Sequence, residues 1–304
     1  MNAIARRLLA GAVLCVALVG AGRAAVLRPC ERAAPIDAEQ QSLTLRLAAI
    51  VKAELERSAR GAVLIARSGI DLERFGFRTS HAGVALRAGR NGPWSVRQLY
   101  YVCDEARPRL FDQGVAGFLL GADAAAVAHV SIVLLPEAAA AALERATRDD
   151  ALALGLLGAR YSANAFAFGL EYQNCNQWVA EMLAASWAPP GADRLAPPRA
   201  RAQQWLRDQG YVPSVFEVGN PSLMWLAGLT ELLHVNDHPA DDIAGQRFRV
   251  SMPASIEAFV ASTVPGAQRI EFCRRDRRAV VHRGWDPIAG DCRPGQDDDV
   301  VALD

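Results

Sequence analysis

A second long apolar run is missing from this 304-residue chain. Beyond the first two dozen residues no stretch offers the roughly 20 apolar residues that a membrane-crossing helix needs, so no span is expected there. Charge of one sign is missing too, with 33 Lys and Arg against 33 Asp and Glu. No basic patch stands out except Arg274-Arg275-Asp276-Arg277-Arg278, which reads as a solvated turn between two strands; nucleic acid is not an expected partner. Zinc-ligand spacing is lacking as well. The histidines and carboxylates between His234 and Asp242 match no common pattern and read as a polar loop, so neither metal nor cofactor is expected. His129, inside an apolar strand, reads as a structural histidine. There is no internal repeat and no low-complexity tract.

What is present begins with a targeting segment. Arg6 and Arg7 precede an apolar run from Leu8 to Val19, and Ala21-Gly22-Arg23-Ala24-Ala25 supplies small residues for cleavage after Ala24 or Ala25. Residues 1–24 therefore read as a signal peptide, with a retained anchor as the alternative. Cys15 follows Leu14 rather than a small residue, which argues against a lipoprotein. Removing Arg6, Arg7 and Arg23 leaves 30 basic against 33 acidic residues, a net charge of −3. The expected location is periplasmic or secreted.

Cysteines are scarce and, after processing, odd in number: Cys30, Cys103, Cys175, Cys273 and Cys292. An oxidising compartment favours pairs, and one left over is a candidate reactive thiol. Cys273 and Cys292 flank a Gly/Pro/Asp-rich segment and form a natural staple. Cys30 can then tie the N-terminal arm to Cys103, leaving Cys175 free, although five cysteines with one unpaired allow about fifteen arrangements.

Periodicity predicts a helix over 38–58, strands over 62–66, 80–87, 94–102 and 127–135, and an Ala-rich helix opened by Pro136. Helices follow over 175–187, 199–209, 221–233 and 254–262, with strands over 212–218, 248–251, 269–273 and 279–282. The expected fold class is α+β, an antiparallel sheet with helices packed on one face.

Two short motifs carry chemistry. Ser80-His81-Ala82-Gly83 opens a strand on a histidine, and Asn174-Cys175-Asn176-Gln177-Trp178 opens a helix on a cysteine. A thiolate is stabilised by a helix N-terminus and by a neighbouring imidazole, so Cys175 reads as nucleophile and His81 as its base. The plainer alternative is that Cys175, in line with Trp178, Val179, Met182 and Leu183, is a small buried hydrophobe. Asn174 and Gln177 are candidate oxyanion donors, and Gly83 leaves room beside the histidine. If Arg87 pairs with Trp94 across the turn, His81 faces Tyr100 and Gln98 becomes the diagonal neighbour that orients the imidazole.

A strand His-x-Gly followed much later by Asn-Cys-polar-aromatic-Val resembles the circularly permuted branch of the NlpC-type papain-like cysteine hydrolases, which includes lecithin retinol acyltransferase-like enzymes. The block through Tyr100-Tyr101-Val102-Cys103-Asp104 and Phe111-Asp112-Gln113-Gly114 is similar to an exported bacterial family of unknown function, domain-of-unknown-function family 2145. The resemblance implies a permuted papain-like core over 25–190, an α+β extension over 191–304 packed on it, and catalysis by Cys175 and His81 through a thioester intermediate. The implied substrates are a peptide or amide bond of cell-envelope material, or a lipid acyl ester. The alternative function is a catalytically silent envelope binding or assembly protein that keeps the fold.

Overall fold

The computed structural model describes residues 37–121, 127–189, 195–220 and 230–304. They belong to one compact unit. The predicted leader, Cys30 and most of the helix expected over 221–233 lie outside the described residues.

The frame is an antiparallel sheet of eight strands in the order β10-β9-β8-β5-β1-β2-β3-β4. In sequence these are β1 (Ala62–Arg67), β2 (His81–Leu86), β3 (Ser95–Val102), β4 (Arg107–Gly114), β5 (Val127–Leu134), β8 (Gln268–Arg275), β9 (Arg278–Arg283) and β10 (Asp299–Ala302). A separate pair, β6 (Ser214–Glu217) and β7 (Arg247–Val250), forms a small ribbon. The mixed α+β class with helices packed on a large antiparallel sheet is as expected.

The helices are α1 (Ala38–Ser58), α2 (Val115–Leu120), α3 (Glu137–Arg148), α4 (Asp150–Gly155), α5 (Cys175–Trp187), α6 (Pro198–Asp208), α7 (Ala240–Ala244) and α8 (Pro253–Thr263). Their ends follow local chemistry. Asp37 caps α1 by accepting from Gln40 N at 2.8 Å, and Ala59 ends it in the left-handed region at φ 56°. Pro136 stands immediately before α3, and Pro198 occupies the first turn of α6, where a missing N–H costs nothing.

Because alternate residues of a strand face opposite ways, the central strands serve two cores. Leu64, Ala66, Ala82, Val84, Leu99 and Val133 pack beneath α3, α5, α6 and α8, which supply the expected helical layer on one face. Val63, Ile65, Ala85, Val96 and Ile132 pack beneath α1 and α2, so the second face is also covered. The strongly apolar reading of β1 and β2 follows from that: every residue of both is buried.

Residues after 195 join this frame through the sheet itself. β8 pairs with β5 over eight residue pairs, from Val127↔Arg275 to Leu134↔Gln268. The Arg274–Arg278 run is the β8–β9 turn, with Asp276 at φ 54°. Cys273 and Cys292 are disulfide-bonded, with Cα atoms 5.3 Å apart. Cys103 is also in a disulfide. Cys175 is the free cysteine among the described residues.

Candidate functional site

Cys175 is the first residue of α5. Asn174 before it is extended and accepts at Oδ1 from Gln177 N at 2.6 Å, an N-cap that fixes where the helix begins. The loop ahead of the cap is held by a buried ion pair. Glu181 is fully buried; Arg199 donates to it at 2.9 and 3.1 Å, Gln203 at 2.7 Å and Gln173 at 2.7 Å. Arg199 also donates to the carbonyls of Gly169, Leu170 and Tyr172, fastening the residues that lead into Cys175.

Cys175 is 7% exposed, and three polar groups act on its thiol: its own backbone N–H, that of Asn176, and the hydroxyl of Tyr161. Tyr161 arrives there because it bridges Gln173 in a short parallel pairing, two residues before the nucleophile. No spacing in the sequence signals it. Burial pushes the Cys175 thiol up to about 11, against the lowering pull of the Asn176 N–H, the Arg67 charge, its own N–H and Tyr161. The helix terminus acts in the expected direction and desolvation outweighs it, so the expected depressed thiol pKa is not what the resting site has.

The amides expected to hold an oxyanion are occupied elsewhere. Asn174 Nδ2 donates to Ala163 O and Ser251 O at 3.3 and 3.2 Å. Gln177 Nε2 donates to the carbonyls of Phe166, Ala167 and Gly169 at 3.1–3.3 Å. Both side chains are structural ties; the donors at the sulfur are the backbone N–H groups of the first turn. Asn176 ties α5 to the head of β2 through Nδ2 and Ser80 O at 3.0 Å.

His81 opens β2 and lies directly opposite Arg67 of β1. The β2–β3 register is the expected one: Val84↔Arg97, Ala85↔Val96 and Leu86↔Ser95, with Trp94 N donating to Arg87 O at 3.4 Å. The His81 and Tyr100 rings consequently lie 4.7 Å apart between centroids. His81 Nε2 donates to Gln98 Oε1 at 2.7 Å, and Gln98 passes its own N–H to Gln113 Oε1 at 2.8 Å. With Nε2 carrying the proton, Nδ1 is the basic nitrogen. Burial and then the Arg67 charge lower the imidazole to about 3, the Gln98 bond opposing them.

Gly83 is where the strands approach. A Cβ there would come within 2.5 Å of Val96 Cγ1, 2.9 Å of Arg97 O and 3.3 Å of Gln98 Cβ. The room expected beside the histidine exists, and β3 fills it; that close approach brings Gln98 to the ring.

The structure thus joins His81 with Gln98, and Cys175 with Tyr161. The two pairs start from different faces. The His81 ring lies near Phe118 of α2, at 5.8 Å, whereas Cys175 belongs to the core beneath α5. Among the described residues no hydrogen bond joins the ring to the sulfur. The Arg67 charge acts on both groups.

The polar loop after His234 is structural. His234 stacks on Tyr172 at 4.2 Å, His238 Nε2 meets Asn164 O at 2.7 Å, and Asp237 accepts from Phe166 N at 2.9 Å. Among the described residues no group of three or more His, Cys, Asp or Glu is arranged to hold a metal. His129 is embedded, its Nε2 lying 3.7 Å from the Cys273 sulfur and its Nδ1 3.4 Å from Glu271.

Residues 54–260, more than half of the chain, match the family described as an uncharacterized protein conserved in bacteria (DUF2145). The chain belongs to that family. The matched stretch spans His81, Gln98, Tyr161 and Cys175. No curated protein and no solved structure matches it.

Proposed function

We propose that the chain is an exported thiol hydrolase of the permuted papain-like kind, acting on a peptide, amide or ester acyl bond with Cys175 as nucleophile. One observation carries the reading: the free thiol sits at the head of a capped helix, with two backbone N–H groups and the Tyr161 hydroxyl against its sulfur. Those N–H groups suit the oxygen of an acyl group under attack. In the reaction the Cys175 thiol loses its proton to His81 Nδ1, and the sulfur bonds the acyl carbon. The leaving amine or alcohol takes the proton back, and water then cleaves the thioester. Export is supported by the signal-like first 24 residues and by the disulfide between Cys273 and Cys292.

The alternative of a silent binding protein is favoured by a specific pair of facts: thiol and imidazole are both held neutral, and they start from different sheet faces. Incubation of the processed protein with peptidoglycan fragments and with phospholipids, read by intact-mass spectrometry, decides between them. An acyl adduct on Cys175, with released product that disappears in Cys175→Ser, is the expected result. No adduct and no product, with Cys175 inert to iodoacetamide, gives the alternative.

A further inference from the structure

Arg97 and Arg199 are buried, and each has carboxylates: Asp112 and Asp150 for the first, Glu181 for the second. Arg67 is buried as deeply, at 2% exposure, and among the described residues no carboxylate pairs with it. Its Nη1 donates to Ser68 O at 2.7 Å, its Nη2 to the Tyr100 hydroxyl, and its guanidinium lies over Phe118 at 5.2 Å. Among the described residues its Nε–H has no acceptor. Among the described residues two neutral oxygens and a ring face are what the charge meets, and an uncompensated buried charge is among the costliest arrangements in a protein.

The neighbours are cut back around this group. A Cβ on Gly121 would lie 3.0 Å from Nη2 and 2.9 Å from the Tyr100 hydroxyl, and one on Gly69 would lie 3.3 Å from Nη1. The guanidinium also stands in electrostatic reach of both halves of the site, opposite His81 in the β1–β2 register.

We infer that Arg67 is the seat of a substrate carboxylate, so that the acyl compounds presented to Cys175 carry a free carboxylate of their own. This deepens the thiol-hydrolase reading and rests on it. A guanidinium edge offers Nε–H and Nη–H in one plane, the fork a carboxylate accepts in two parallel bonds, and here the Nε–H is waiting for an acceptor. The arriving anion would also cancel the positive field on His81, making the imidazole a stronger base once substrate is in place.

The test compares two alkylating reagents that differ in charge, iodoacetate and iodoacetamide, on the whole processed protein. Normalised to a small free thiol, the iodoacetate-to-iodoacetamide rate ratio at Cys175 should be raised by about tenfold, the order expected of a close, partly shielded charge pair. In Arg67→Met it should fall to the free-thiol value. An equal ratio in wild type and Arg67→Met overturns the inference. If Cys175 reacts with neither reagent, the hydrolase reading fails and the anion seat is judged separately, by thermal shift of Cys175→Ala protein. There N-acetylglycine should give a saturable rise that its neutral amide does not. Arg67→Lys, which keeps a buried cation and loses the fork, should weaken that rise severalfold. No rise with N-acetylglycine, or a rise with inorganic phosphate alone, overturns the inference.

Discussion

Arg199→Met is the sharpest test of what holds the nucleophile in place. The substitution removes two bonds to Glu181 and three to the carbonyls of Gly169, Leu170 and Tyr172, while Gln173 and Gln203 stay on the carboxylate. Breaking one side of a buried ion pair costs about 3–5 kcal/mol, because the remaining charge is stranded. For a chain of this size each kcal/mol lowers the melting temperature by about 2–4 °C, so a drop of about 6–20 °C is expected by calorimetry at pH 7. The pH dependence carries the mechanism. Burial already raises Glu181 against the pull of Arg199, and without Arg199 its folded-state pKa rises further above the unfolded carboxylate value of about 4.3. Stability relative to wild type is therefore least impaired below that value and is lost as pH climbs through the raised folded pKa. Adding Glu181→Gln to the variant should recover part of the loss at neutral pH. A loss equal at pH 4 and pH 8, or a double variant weaker than the single one, would refute the stranded-charge account.

Two further substitutions probe the geometry around the site. Gly83→Ala should cost about 1–3 kcal/mol by forcing β3 away from β2, and it should break the His81–Gln98 bond; an unchanged His81 imidazole resonance in the variant would contradict this. Asn174→Ala should cost about 1–2 kcal/mol in urea unfolding through loss of the α5 cap, and a variant as stable as wild type would show that the cap is dispensable.

The legible parts of the site were those with local or turn-fixed geometry. The tight connection between β2 and β3 sets the register, and with it the meeting of Gln98 and His81. The asparagine before Cys175 marks the helix start. What escaped depends on chain segments far apart in sequence. Tyr161 reaches the sulfur only through its pairing with Gln173, and the carbonyls that occupy Asn174 and Gln177 come from residues 163–169 and 251. The sequence displays the helix terminus that lowers a thiol pKa, while the burial that raises it more is a property of the assembled core. β4 was missed because an edge strand with one face largely in water lacks a clean apolar alternation. Arg67 gave no signal, since an arginine closing an apolar strand ordinarily reads as its solvated end.

The pairing of β5 with β8 bears on how much of this chain has to be kept together. The family-matched stretch ends at residue 260, before β8 begins at Gln268. A fragment trimmed to that stretch would bare the outer edge of β5, now paired with β8 over eight register positions. It would also lose α1 up to residue 53 and strip Ile270, Phe272, Ala279, Val281 and Leu303 from the core on that face. Such an edge invites pairing with another copy, so a shortened protein would be expected to self-associate through β5. The region that defines the family is thus shorter than the unit that folds.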